Sequence, residues 1–262
     1  MNNQSRTAIP TAATSLIENY KHLKVKGQQT VRCPYYRNPR SGRERWGLNA
    51  FSGKGSPQEI EQEIGIIEKL ENKNFAELSE EDIRDILRKR KLGVECSGFI
   101  SHVLDAWLLA EKKKKIYQVL KFKKRGILGT IASKLRPFTH IDVETLTDPQ
   151  NADEFADINH LQAGDLLRFF SEIDPAVVVT EGAVDHAVLA TKIERDAEGK
   201  VKRIHYAQSV REKIGEGIKE GIITIINPGT PLEKQQWEEL PNTGTTINLR
   251  STPPKFYHLK FL

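Results

Sequence analysis

The chain is expected to fold as an α+β domain, with N-terminal helices followed by a mainly antiparallel sheet. Three observations lead there. Apolar residues recur at helical spacing behind serine caps between Ser56 and Ala110. Four apolar segments follow: Asp165–Phe170, His186–Ile193, Arg203–Gln208 and Ile222–Ile226. The turn-prone RDAEGK between the second and third joins them as a hairpin. A length of 262 residues, 38% of them apolar, is enough to build a core.

Residues 1–55 are rich in Pro, Gly, Arg and Asn and show no clean period, so they are expected to form an arm packed on the body by Tyr35, Tyr36, Trp46 and Phe51. Lys54 in GKGSP lacks the glycine spacing and the Lys-Ser/Thr pair of a phosphate loop. The body is residues 56–262, with an insertion at about 112–159. Its first helix starts at Ser56 and Pro57 and carries the stripe Ile60, Ile64, Ile67, Leu70. The second is capped by Ser79, with Asp82 three residues on, and buries Ile83, Ile86 and Leu87. The third runs from about Ser97 to Ala110 behind Phe99, Ile100, Val103, Leu104 and Trp107. Beyond the four strands, EKQQWEEL suggests a packed helix containing Trp237 and Glu238, and further strands are expected at Thr246–Arg250 and Tyr257–Phe261.

Composition narrows the function. The net charge is +5, with the basic run Lys112, Lys113, Lys114, Lys115, Lys121, Lys123, Lys124 and Arg125, so a polyanion is a candidate partner. Two cysteines in a chain this long argue against a disulfide framework and a zinc ribbon. No apolar stretch reaches membrane-spanning length, and the N-terminus lacks the pattern of a secretory signal. The expectation is a cytoplasmic protein, with export by a non-classical route left open. Oligomeric state is not legible.

The stretch GVECSGFISHVLDAW places Cys96 at the start of a helix. Unpaired N–H groups and the positive end of the helix dipole lie there, so a thiolate is stabilised and an oxyanion can be held. Such a nucleophile needs a base and an orienting group. Of the seven histidines, His186 opens an alternating strand at its rim, and is the candidate base. On the neighbouring strand Ile204, Tyr206 and Gln208 share one face and His205, Ala207 and Ser209 the other. If the apolar Ile204 face looks towards the helix, Gln208 orients His186; in the reversed register His205 does. His102, six residues beyond Cys96, is a poor base for it, and a zinc site built on Cys96, His102, His186 and His205 is disfavoured. Cys33 and Glu95 are expected to be structural.

This constellation resembles the NlpC/P60-type, papain-like cysteine hydrolases. VECSGFISHVL is similar to the family's Asp-Cys-Ser-Gly-Phe helix, LQAGDLLRFF to its Leu-x-x-Gly-Asp-Leu turn and DHAVLAT to its histidine strand, in the family's order and over about residues 80–210. The resemblance implies a papain-like fold and a peptidase or amidase with Cys96 as nucleophile, His186 as base and Gln208 or His205 as third residue. It also implies structural roles for Gly164 and Asp165, no metal or organic cofactor, and amide or peptide substrates such as peptidoglycan fragments. Glu95 stands where the family often has Asp, and is expected to accept the same backbone bonds. The insertion is longer than the family's, and no wall-binding repeat is present. Alternatives in other classes are a non-catalytic papain-like or polyanion-binding module using the 112–125 surface, and a thiol acyltransferase with the same dyad.

Overall fold

The serine caps of the sequence are realised in the computed structural model, which describes residues 6–37, 48–122, 136–170, 185–210, 217–240 and 253–262. Ser56 and Glu59 form a reciprocal capping box that opens α2, Pro57–Glu71. Ser79 accepts from the Asp82 N–H and opens α3, Glu80–Lys89. Ile60, Ile64 and Ile67 are buried as expected, whereas Leu70 lies on the exposed side, 59% accessible. The longest helix among the described residues, α4, is Cys96–Lys112, and its buried face carries Phe99, Ile100, Val103, Leu104 and Trp107. Lys113 ends it in the left-handed conformation.

The first 55 residues hold a helix that the sequence reading did not contain: α1, Thr11–Lys21, which buries Ala13, Ile17 and Tyr20. The helical spacing was present, but Pro10 precedes it with no capping side chain, so the usual start signal is missing. A short hairpin, β1 (Leu23–Lys24) with β2 (Thr30–Val31), follows. Phe51 is buried in the same core as α1 and α4. Trp46, Lys123, Lys124, Arg125 and the expected strand Thr246–Arg250 lie outside the described residues.

Within the insertion, α5 (Ile116–Val119), a 3-10 turn at Pro137–His140 and α6 (Val143–Leu146) pack over α4. Asn151, almost fully buried, pins this segment: its side chain bonds the backbone of Lys121 at both N–H and C=O, and the Thr145 carbonyl. Of the basic run, Lys112 donates to the Phe261 carbonyl and Lys115 to Asp105.

Among the described residues seven strands form one antiparallel sheet: β3 (Ala152–Phe155), β4 (Leu166–Phe170), β5 (Asp185–Arg195), β6 (Val201–Val210), β7 (Gly217–Thr224), β8 (Gln236–Leu240) and β9 (Lys255–Leu259). Their order is β3-β9-β4-β5-β6-β7-β8. Strand β8 corrects the expected helix around Trp237: these residues pair with β7, and Trp237 covers Tyr206 and Phe169 edge-to-face. Alternation then divides the sheet into two buried faces. Ala187, Leu189, Ala207 and Ile218 join the helices in the main core, while Val188, Ala190, Ile204, Tyr206 and Ile223 form a second core on the far side. The architecture is therefore α+β, with N-terminal helices followed by a large antiparallel sheet. No helix among the described residues is long and apolar enough to cross a membrane.

The start of α4 is held by backbone. Val94 N–H bonds the Pro34 carbonyl at 3.1 Å and Glu95 N–H the Gly53 carbonyl at 3.0 Å. A Cβ on Gly98 would stand 2.2 Å from the Gly53 carbonyl oxygen, so only glycine permits this approach. Gly98→Ala is expected to lower stability by about 1–3 kcal/mol, the range for overpacking, measured by urea unfolding. A loss under about 0.5 kcal/mol, ordinary for a surface change, would show that the Gly53 segment retreats freely.

Candidate active site

Cys96 is the first residue of α4 and is 5% exposed. The backbones of Ala187, the residue after His186 in β5, and of Ser97 lie at its sulfur and favour the thiolate. The helix start and the rim of β5 therefore meet at this sulfur. Burial, first, and the Glu95 carboxylate, second, push the thiol up to about 11, against the lowering influence of Ala187, Lys54 and Ser97. The expectation that the helix start holds a ready thiolate is thus corrected. Desolvation of the charged form outweighs the first-turn donors, and Cys96 rests as a neutral thiol at pH 7.

Glu95 sits at the cap position, yet its side chain makes no capping bond, contrary to expectation. The extra methylene carries its carboxylate past the first-turn N–H groups to side chains. It accepts from Ser97 Oγ at 2.9 Å and pairs with Lys54 Nζ. Lys54, 5% exposed, also donates to Ser97 Oγ at 2.6 Å and to the Ile141 carbonyl at 2.5 Å. The arm, the start of α4 and the insertion thus converge on one buried ammonium. The local pattern GKGSP carries no signal that the Lys54 ammonium is buried beside Cys96, because its partners lie 41 to 87 residues away. His102 is committed elsewhere: Nε2 lies 2.8 Å from the Lys54 carbonyl, and the ring stacks on Phe138 at 4.2 Å.

On β5, His186 is 6% exposed and its Nε2 lies 2.8 Å from Gln208 Oε1. Gln208 is thereby the residue brought to His186. His205 is not: it lies on the other face of β6, 3.0 Å from Glu194 in a part-exposed pair. The face assignment behind the reading is corrected as well. Ile204, Tyr206 and Gln208 look away from the helices into the second core, and Ser209 on the helix-facing side donates to the Val94 carbonyl at 2.6 Å. Gln208 reaches His186 because both lie on that far face in neighbouring strands.

Behind Gln208 lies a charged pair that the sequence reading missed. Gln208 Nε2 donates to Glu239 Oε1 at 3.0 Å, and the fully buried Lys219 donates to Glu239 Oε2 at 3.0 Å. Tyr206 OH reaches the same carboxylate at 3.3 Å, its ring accommodated by Gly221, where a Cβ would stand 2.4 Å from that ring. Lys219 shares a strand face with Gly221 and Ile223, which was the available signal; Glu239 was hidden by the mistaken helix.

Asp165 is fully buried, accepts from the Gln162 N–H at 2.7 Å and pairs with His258 at 2.8 Å, while Gly164 takes φ +96°. Both organise the turn into β4. Cys33 is buried, and burial pushes its thiol well above the usual range. Among the described residues no group of three or more His, Cys, Asp or Glu side chains is placed to hold a metal ion.

The chain matches no protein-family model, no curated protein and no solved structure.

Because Glu95 opposes the thiolate and Lys54 favours it, Glu95→Gln is expected to lower the Cys96 pKa and shift its alkylation profile to lower pH. The pH dependence of iodoacetamide labelling with peptide mapping measures this. A profile that stays in place or moves to higher pH would contradict the assignment of Glu95 as the opposing charge.

Proposed function

We propose that the chain is a papain-like cysteine hydrolase cleaving an amide or peptide bond, with Cys96 as nucleophile, His186 as general base and Gln208 as orienting residue. The observation that carries the reading is a single junction. The sulfur at the first position of α4 meets the backbone of the residue after His186, which favours the thiolate, and that histidine is held by Gln208. The order of the three motifs along the chain supports it.

The raised thiol sets the order of events. Cys96 is protonated at rest, so His186 takes its proton as the sulfur attacks the carbonyl carbon. First-turn N–H groups ahead of Phe99, whose own N–H pairs with Glu95, are the donors for the oxyanion. Collapse breaks the C–N bond, and His186 returns the proton to the leaving amine. Water, deprotonated by His186, then cleaves the thioester, releasing an acid and restoring the thiol. Peptidoglycan peptides are the first substrate class to test.

The raised thiol also favours a second reading, a non-catalytic papain-like module. The two separate cleanly. As an enzyme, the wild type accumulates a thioester on Cys96 with muropeptides or an amide library, seen by intact mass. His186→Ala slows turnover about 10²–10⁴-fold, the range for a positioned general base, and Cys96→Ser forms no thioester. Absence of any Cys96 adduct, with alkylation unaffected by His186→Ala, would establish the module. Transfer to an added amine in place of water would identify an acyltransferase.

A further inference from the structure

We propose that Glu239 is a positioning residue that fixes the direction of the Gln208 carboxamide and, through it, the tautomer of His186. The idea extends the hydrolase reading, because a base must present its unprotonated nitrogen to the nucleophile, but its test does not depend on that reading.

Donors and acceptors around Gln208 leave one arrangement. A carboxylate only accepts, so the end of the Gln208 amide facing Glu239 at 3.0 Å must be the NH2. The carbonyl end then faces His186 Nε2 at 2.8 Å, and that nitrogen must carry a hydrogen to donate. In the neutral ring Nδ1 is consequently the basic nitrogen. Without Glu239 the amide has no reason to prefer one direction, since its two ends are nearly isosteric. Glu239 is itself held by two donors, the Lys219 ammonium at 3.0 Å and the Tyr206 hydroxyl at 3.3 Å. Lys219 is 0% exposed on the side chain and Glu239 14%, so the pair sits where water competes weakly.

Glu239→Gln inverts the polarity. Lys219 can only donate, so it claims the carbonyl of the new amide, turning its NH2 towards Gln208. Gln208 must then offer its carbonyl to that NH2 and its own NH2 to His186. Nε2 becomes the acceptor and the proton moves to Nδ1. Adding Gln208→Glu reverses this: a carboxylate at 208 accepts from both neighbours and restores Nε2–H, while the net charge of the network stays that of the wild type.

Long-range 15N–1H spectra of the histidine rings in the full chain, recorded with His186 neutral and assigned through His186→Ala, report the tautomer directly. The expected result is Nε2–H in the wild type, Nδ1–H in Glu239→Gln and Nε2–H again in the double variant. Cys96 alkylation is expected to slow in Glu239→Gln by the same factor as in His186→Ala and to recover in the double variant. A wild type with Nδ1–H, a folded Glu239→Gln that keeps Nε2–H, or a double variant with Nδ1–H would each overturn the proposal. A wild type or a double variant with Nδ1–H overturns it even if the single variant does not fold. An expected tautomer pattern with alkylation indifferent to all these changes would uphold the positioning and count against the hydrolase instead.

Discussion

Everything at the site depends on one close backbone approach. The segment entering α4 lies against two strips of the N-terminal arm, at Pro34 and at Gly53, and glycine at 98 lets the helix start against the Gly53 carbonyl. Burying backbone so tightly demands that its polar groups be paired, and the arm supplies the partners. The arm is therefore a wall of the candidate site. It delivers Lys54 to the side of Cys96, and it anchors through Tyr20, whose hydroxyl bonds the Gly55 carbonyl at 2.7 Å.

Two buried ion pairs flank the junction, Lys54–Glu95 beside the sulfur and Lys219–Glu239 behind Gln208. Buried pairs are weak sources of net stability, because desolvating both charges offsets much of their attraction. Their effect here is directional. Lys54 gathers Glu95, Ser97 and the Ile141 carbonyl around one ammonium, joining arm, helix and insertion. At Cys96, burial and Glu95 oppose the thiolate, and Ala187, Lys54 and Ser97 favour it. The outcome is a neutral resting thiol, which makes a base essential to the proposed chemistry.

The sheet works as a two-sided partition. Its helix-facing side is lined by small residues such as Ala187 and Ala207, which let α4 come close. Its other side places Gln208 beside Tyr206 and under the reach of β8. His186 belongs to that far side by alternation but stands near the start of β5, where the strand meets the helix terminus.

What the sequence determined by itself was local. Serine caps and Ile spacing fixed α2 and α3, the RDAEGK turn fixed the β5–β6 hairpin, and Cys96 at a helix start was legible because each signal lies within a few residues. Helix α1 escaped because Pro10 gives no capping side chain, and β8 because QWEEL suits a helix until an edge strand claims it. Only the tertiary structure decided which face of β6 looks at the helices, that Gln208 rather than His205 meets His186, and that Glu95 pairs with Lys54. It also placed Glu239 behind Gln208. For the strand residues the physical reason is common: alternation and residue type leave the face open, and packing against distant elements chooses it; Glu95 meets Lys54 because the arm packs beside the start of α4. The charge state of Cys96 was likewise undecidable locally, since the donors of the first turn are written in the sequence but the desolvation that outweighs them is made by the rest of the fold.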